Sequence, residues 1–183
     1  MDVQLLSPDR YGGLLEFFDR PDQGFCFCRF WDEDVPNETW VHGEASAHRA
    51  ARSAAMDRLE GVAALEGASV IGWLRFAPAA SLTKLRTQRL EPVGDAAAYA
   101  ILCLAVASDA RGRGVASALL DHAIAALEAR GVVEIHAYPR PEAALGPAEV
   151  WTGPRAAFEA RGFTAVRCEG RRWTFTRRGT GRQ

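Results

Sequence analysis

Lysine is all but missing from this sequence. Lys84 stands alone, and the rest of the 22 basic side chains in the 183-residue chain are arginines. Arginine's planar fork suits bidentate contact with phosphate, although composition bias alone also produces such a preference. Excess charge is missing too: the formal net charge of -1 gives no general reason to expect a nucleic acid or an acidic membrane as partner. No apolar run approaches the roughly 18 residues of a membrane-crossing helix. The opening "MDVQLLSPDRYGG" has no basic segment leading into an apolar one, so no secretory signal is expected. Four cysteines at irregular positions do not make a disulfide framework in a chain this long, and a cytoplasmic protein with reduced thiols is the expectation.

What is present reads as one globular domain over residues 1–183, with 48% hydrophobic and 25% charged residues. "YGGLLEFF" predicts a short helix. "GFCFCRFW" at 24–31 alternates with period two and predicts a strand. "SAHRAARSAAMDRLEG" predicts a helix with Ser46 as its N-cap and Gly61 at its end. Residues 62–78 predict two strands joined at Glu66-Gly67, and "SLTKLRTQRL" a short polar surface helix. The apolar run at 97–107 predicts a buried strand. Val115, Leu119, Leu120, Ile124 and Leu127 have the spacing of an amphipathic helix, which Gly131 ends. "VVEIHAY" predicts the next strand. "GPRAAFEARG" predicts a helix with Pro154 near its first position and Gly162 at its C-terminus. "FTAVRC" and "RRWTFTRR" predict a final antiparallel pair turning at Glu169-Gly170. The fold class is therefore α/β, a mixed sheet flanked by helices.

Between the strand at 97–107 and the following helix lies "ARGRGVA", two arginines and two glycines that contribute little to packing. The first N–H groups of a helix lack intrahelical partners and carry partial positive charge, so the loop is suited to an anion. Gly112 and Gly114 let the backbone come close to a ligand, and Arg111 and Arg113 add charge. No lysine follows Gly114, which excludes a Walker loop. A dinucleotide fingerprint fits Gly112 and Gly114, with Glu134 at 20 residues beyond Gly114 as the ribose-binding acid. It meets Ser117 where a third glycine belongs, and five residues separate Val106 from Gly112.

Arg111-Gly112-Arg113-Gly114-Val115-Ala116 resembles the Arg/Gln-x-x-Gly-x-Gly/Ala motif of the GNAT N-acetyltransferase superfamily. The preceding "LAV" at 104–106 and "SDA" resemble its acyl-CoA-binding segment, and "FEARGF" at 158–163 its helix ending in Gly-Phe. The N-terminal Cys-x-Cys aromatic stretch, with "AYP" and "WTGPRAAFEARGF", is similar to one bacterial branch of that superfamily. The resemblance implies a strongly twisted central sheet with helices on both faces. It implies acetyl-CoA as cosubstrate, with its pyrophosphate on residues 111–116 and its pantetheine arm paired with the backbone of Leu104, Ala105 and Val106. It also implies Val106 N–H as a donor to the thioester carbonyl, and direct attack by a primary amine. The expected acceptor is a small molecule rather than a protein, no metal is expected, and a homodimer is possible.

The resemblance weakens at the acid and base. Phe158 stands where many members carry a tyrosine, Trp151 where an asparagine is common, and "YAILCLAV" has no carboxylate. Replacements are expected on the next strand, where Glu134, His136 and Tyr138 share one face. His136 suits a general base near neutrality and Tyr138 a proton donor, whereas His122 reads as structural. Local hydrogen bonding is the competing explanation for each. Cys26 and Cys28, on one face of the expected strand, would lie about 7 Å apart, too far for a relaxed disulfide. With His42 and His48 they offer only part of a zinc site, so small buried hydrophobes are expected. Phe25, Phe27, Phe30, Trp31, Trp40 and Trp73 belong in the core or line an acceptor pocket. Asp32, Glu33, Asp34, Glu38 and Glu44 either attract a cationic amine or are solvated surface. Two alternatives to the transferase remain: an acyl-CoA-binding sensor without turnover, and a dinucleotide-dependent oxidoreductase.

Overall fold

The computed structural model describes residues 1–23, 26–34, 36, 40, 43–88, 90, 97–140, 151–169 and 172–179. Gly24, Phe25, Glu38, His42 and Gly170, named above, lie outside them.

Seven strands form one sheet: β1 (Asp2–Leu5), β2 (Gly61–Glu66), β3 (Ser69–Pro78), β4 (Tyr99–Val106), β5 (Glu134–Ala137), β6 (Thr164–Glu169) and β7 (Arg172–Arg178). Their order is β1-β2-β3-β4-β5-β7-β6. Only β4 and β5 run parallel, and their connection is the long helix α4 (Val115–Ala129). Among the described residues the other helices are α1 (Tyr11–Asp19), α2 (Ala45–Ser53), α3 (Thr83–Thr87) and α5 (Arg155–Glu159).

Strand alternation assigns the two faces. A Cβ on Gly72 would meet Val115 Cγ1 at 2.7 Å, so β3 and α4 touch there at a distance only glycine permits. Trp73 and Arg75 point the other way, toward the N-terminal segment, where Trp73 Nε1 donates to Cys28 Sγ at 3.4 Å. Helices therefore cover both faces, as expected. The core includes Leu14, Phe17, Trp31, Trp73, Leu74, Ile101, Leu119, Leu120 and Phe158, all at most 2% exposed.

Several expectations are corrected. The described part of 24–31 is not a strand but a series of turns, with Phe27 at φ 46° and Cys28 at φ 58°. Here the period-two pattern marked a turn that buries consecutive side chains rather than alternate ones: Phe27, Cys28, Phe30 and Trp31 are all buried. Two arginines hold its carbonyls. Arg52 donates from Nε to Phe27 O at 3.1 Å and from Nη2 to Cys28 O at 2.9 Å, and Arg75 Nη1 donates to Cys28 O at 2.7 Å. Both guanidiniums also pair with Asp32. The predicted helix from Ser46 to Gly61 is shorter: α2 has Glu44 at its N-cap, stops at Ser53, and Gly61 opens β2. Leu59 and Val62 are drawn into the sheet's core, which ends the helix early. In α3, Lys84 and Leu85 are buried, and Lys84 Nζ lies 4.9 Å from the centre of the Phe30 ring, so this is no surface helix. Pro154 sits at the N-cap of α5, directly before its first residue, in line with the expectation.

Candidate functional site

The decisive geometry is where β4 and β5 part. They pair only from Tyr99 with Ile135 to Ile101 with Ala137. Opposite Arg75–Phe76, the register of β4 jumps from Cys103 to Ile101, leaving Leu102 as a bulge. Beyond it, residues 103–106 keep β3 as a neighbour but leave β5, and a fork opens in the sheet. Leu104 N–H points into the fork and donates to Trp151 O at 2.8 Å, so that donor, expected to be free, is taken by a loop of this chain. Val106, two residues on, presents its backbone to the same side. Its carbonyl accepts from Arg111 Nε at 3.2 Å and Gln23 Nε2 at 3.5 Å.

At the end of β4 the chain turns through residues 108–110 into the Arg-Gly loop. Asp22 accepts the N–H of Ser108 at 2.6 Å, and Arg20 bridges Asp22 and Asp109 at 3.2 and 3.0 Å. Burial opposes its ionisation, but the N–H and hydroxyl of Ser108 hold the Asp22 carboxyl down to about 2. Gly112 (φ 72°) and Gly114 (φ 79°) both take left-handed conformations, and nothing lies within 4 Å of a Cβ built on either. Gly114 is the N-cap of the 15-residue α4, so the loop presents open backbone N–H groups at a helix N-terminus. Arg111 and Arg113 are exposed. Arg113 pairs with Glu66 at the tip of β2. Val115 is buried against β3, and Ala116 is partly buried. This donor set fits a pyrophosphate.

Glu134 and His136 lie together on β5, both buried, with His136 Nε2 2.7 Å from Glu134 Oε1. The carboxylate is the natural acceptor, so Nε2–H donates and the lone pair sits on Nδ1, which has no protein partner. Burial lowers the imidazole pKa below 6.5, against the raising effect of the Glu134 hydrogen bond. Tyr138 follows on the same face at the mouth of the fork. It is fully buried, its hydroxyl has no partner, and burial pushes the phenol well above its usual range. Phe30, Trp31 and Trp151 pack over this region: Trp31 lies 5.6 Å from Tyr138 and 5.9 Å from Trp151, centre to centre.

A sequence model of the Acetyltransferase (GNAT) family matches residues 14–145. The chain belongs to the GNAT acetyltransferase family. Acetyl-CoA-dependent N-acetyl transfer is accordingly its reaction. Solved structures of other GNAT proteins share its fold at low identity. The PaiA N-acetyltransferase from Thermoplasma acidophilum, solved in complex with coenzyme A, is 14% identical with TM-score 0.58, covering 98% of this chain and 100% of that one. The ribosomal-protein-alanine N-acetyltransferase from Brucella melitensis is 15% identical with TM-score 0.57, covering 97% and 99%. Aminoglycoside 6'-acetyltransferase type Ii is 12% identical with TM-score 0.57, covering 97% of each chain. No curated protein sequence matches the chain.

Within this GNAT fold, the dinucleotide reading fails. That site needs a doubly wound parallel sheet, and this sheet has one parallel pair. Among the described residues no three His, Cys, Asp or Glu side chains gather to hold a metal ion, and no helix is long and apolar enough to cross a membrane. The acidic run serves structure in part: Asp32 neutralises Arg52 and Arg75, and Glu33 pairs with Arg29. Phe158 is fully buried beside Gly153 and Phe163, with no route to proton transfer. Sequence reasoning missed Gln23, Asp22 and Arg172, which reach the site from elements far away in the chain and carry no local motif.

Proposed function

We propose that this acetyltransferase is a single cytoplasmic catalytic domain over residues 1–183 that acetylates a primary amine of a small molecule. The amine attacks directly, without an acyl-enzyme. The observation that carries this reading is the Glu134–His136 pair with its free Nδ1 beside Tyr138, at the point where the sheet forks.

The backbone N–H groups of 112–116 with Arg111 and Arg113 would hold the cosubstrate's pyrophosphate. The backbone of Leu104, Ala105 and Val106 would line its pantetheine arm, with Trp151 moving off Leu104. Acetyl-CoA supplies the acyl group as an activated thioester. Glu134 fixes the tautomer of His136, so Nδ1 faces the acceptor as a neutral base at pH 7 and takes the amine's proton. Tyr138, its ionisation suppressed by burial, retains a proton at Oη for the departing sulfur. The aromatic cover excludes water from these transfers. Four free cysteines support a reducing compartment. Phe158, without a proton to give, favours the second reading: an acyl-CoA sensor without turnover.

Calorimetric titration with acetyl-CoA, CoA and NADH, followed by thiol release against a panel of amines, tests the proposal. Acetyl-CoA binding with amine-dependent thiol release is expected. Binding without release across the panel would favour the sensor, and tighter binding of NADH than of acetyl-CoA would overturn both.

A further inference from the structure

Beyond Tyr138, polar side chains continue along the same face of the sheet. β5 and β7 pair His136 with Thr176 and Ala137 with Phe175, and the N–H of Trp173 donates to Pro139 O at 3.1 Å in the same register. Thr174 therefore stands opposite Tyr138, and Arg172 opposite Arg140. Arg172 is partly buried, with its guanidinium carbon 5.2 Å from the centre of the Trp31 ring, 5.1 Å from that of Trp151 and 5.7 Å from that of Phe30. Aromatic rings, not an acid, surround it: among the described residues no carboxylate pairs with Arg172.

This patch also holds buried polar atoms without partners. Arg172 Nη1, Trp31 Nε1 and Thr174 Oγ1 all lack a hydrogen-bond partner, and Trp31 and Thr174 are 0% and 1% exposed. An unsatisfied buried donor ordinarily costs about 1–3 kcal/mol, so such groups are seldom left together without a reason. Two of the three are obligatory donors and the third can donate. The chemistry they match is an anion with several acceptor oxygens, held between aromatic walls. Burial and the neighbouring Arg140 guanidinium push Arg172 down to about 10, which leaves it charged at neutral pH.

We propose that Arg172, Trp31 Nε1 and Thr174 Oγ1 form a carboxylate-binding subsite, and that the acceptor is an amino-carboxylic acid rather than a simple amine. This rests on the small-molecule acetyltransferase reading and narrows it. His136 lies four residues along the strands from Arg172's row, and Tyr138 stands between them. One acceptor thus presents its amine to the base and its carboxylate to the guanidinium. The rings of Trp31, Trp151 and Phe30 would have to part to admit the carbon skeleton between the two groups. The division also gives selectivity, because a bare amine would leave the buried donors unpaired while a carboxylate satisfies them.

The test uses the intact enzyme and matched compounds: lysine, 5-aminopentanoate and 6-aminohexanoate against cadaverine, butylamine and pentylamine. Two signals are read, quenching of tryptophan fluorescence on binding and thiol release from acetyl-CoA. At least one carboxylate should bind tenfold or more tightly than its decarboxylated partner. R172M should abolish that preference by raising KM for the carboxylate, with less effect on kcat and none on acetyl-CoA affinity. R172K should restore part of it. Equal binding within every pair, or binding by no carboxylate, would overturn the subsite. So would an R172M variant that melts earlier yet keeps the preference, because Arg172 would then be structural. Failure of acetyl-CoA to bind would instead strike at the transferase reading, so the two failures are distinct.

Discussion

The two ends of the fork are built from different materials. The Arg-Gly loop at the end of β4 is exposed and offers mainly backbone: N–H groups at the start of α4 and two glycines with positive φ. The patch formed by β5, β7 and the N-terminal turns is buried and offers side chains: Glu134 against His136, and Tyr138, Trp31 and Thr174 without partners. An invariant cosubstrate needs only a cradle of main chain, which many sequences can make. An acceptor that differs from enzyme to enzyme must be met by side chains chosen for it. The comparison predicts that the two ends fail separately when damaged.

The largest effect is expected under the side-chain end. Asp32 neutralises Arg52 and Arg75, whose side chains are 3% and 5% exposed, and the same two arginines hold the carbonyls of Phe27 and Cys28. D32A strands two buried cations and should lower the unfolding free energy by about 3–5 kcal/mol in chemical denaturation. Acetyl-CoA affinity of the folded fraction should stay within about twofold. A loss below about 1 kcal/mol would mean that the cluster does not hold the turn.

Next comes His136, the proposed base. H136Q should reduce kcat about a hundredfold while the acetyl-CoA Kd is unchanged. The wild-type kcat/KM should fall as the pH drops through the imidazole pKa, which burial places below 6.5, and the glutamine variant should lack that limb. Stability carries the same sign: the contribution of this neutral, buried histidine is complete above 6.5 and is lost as pH falls through the lower folded value. A variant retaining both rate and pH limb would return His136 to a structural role.

The backbone end should respond to shape instead. Gly114 sits at φ 79°, where a β-branched residue is strained by about 1–2 kcal/mol although no atom obstructs it. G114V should therefore weaken acetyl-CoA binding about tenfold in calorimetry, and kcat at saturating cosubstrate should change little. Unaltered affinity would show that the loop's conformation is not what recognises the pyrophosphate.

The same contrast explains what was legible in the sequence. The loop was readable because its signal is local: a buried strand, a Gly-x-Gly turn and a 3.6-period helix follow one another between Tyr99 and Ala129. The face shared by Glu134, His136 and Tyr138 was readable too, because strand alternation needs no tertiary information. The turn around Phe27 and Cys28 was not. Its left-handed residues are tolerated because Arg52 and Arg75, 24 and 47 residues beyond Cys28, hold the carbonyls there. Arg172 was equally hidden: within "RRWTFTRR" it looks like any arginine of a terminal hairpin, and only the return of β7 beside β5 brings it under Trp31. Local chemistry was visible; long-range convergence was not.

The smallest expected effect is also the most discriminating. Tyr138 is fully buried with an unpartnered hydroxyl, so the folded protein bears a desolvation cost there that a phenylalanine would not. Were the hydroxyl structural, Y138F would destabilise the protein by breaking a bond. If it is held for the reaction, as proposed, Y138F should leave the unfolding free energy unchanged or raise it by up to about 1 kcal/mol, while kcat falls roughly tenfold. Denaturation and steady-state kinetics on one variant read the two quantities together. Opposite movement of stability and rate marks a group placed for chemistry at some expense to the fold. A joint fall would make Tyr138 part of the scaffold and leave proton donation to solvent.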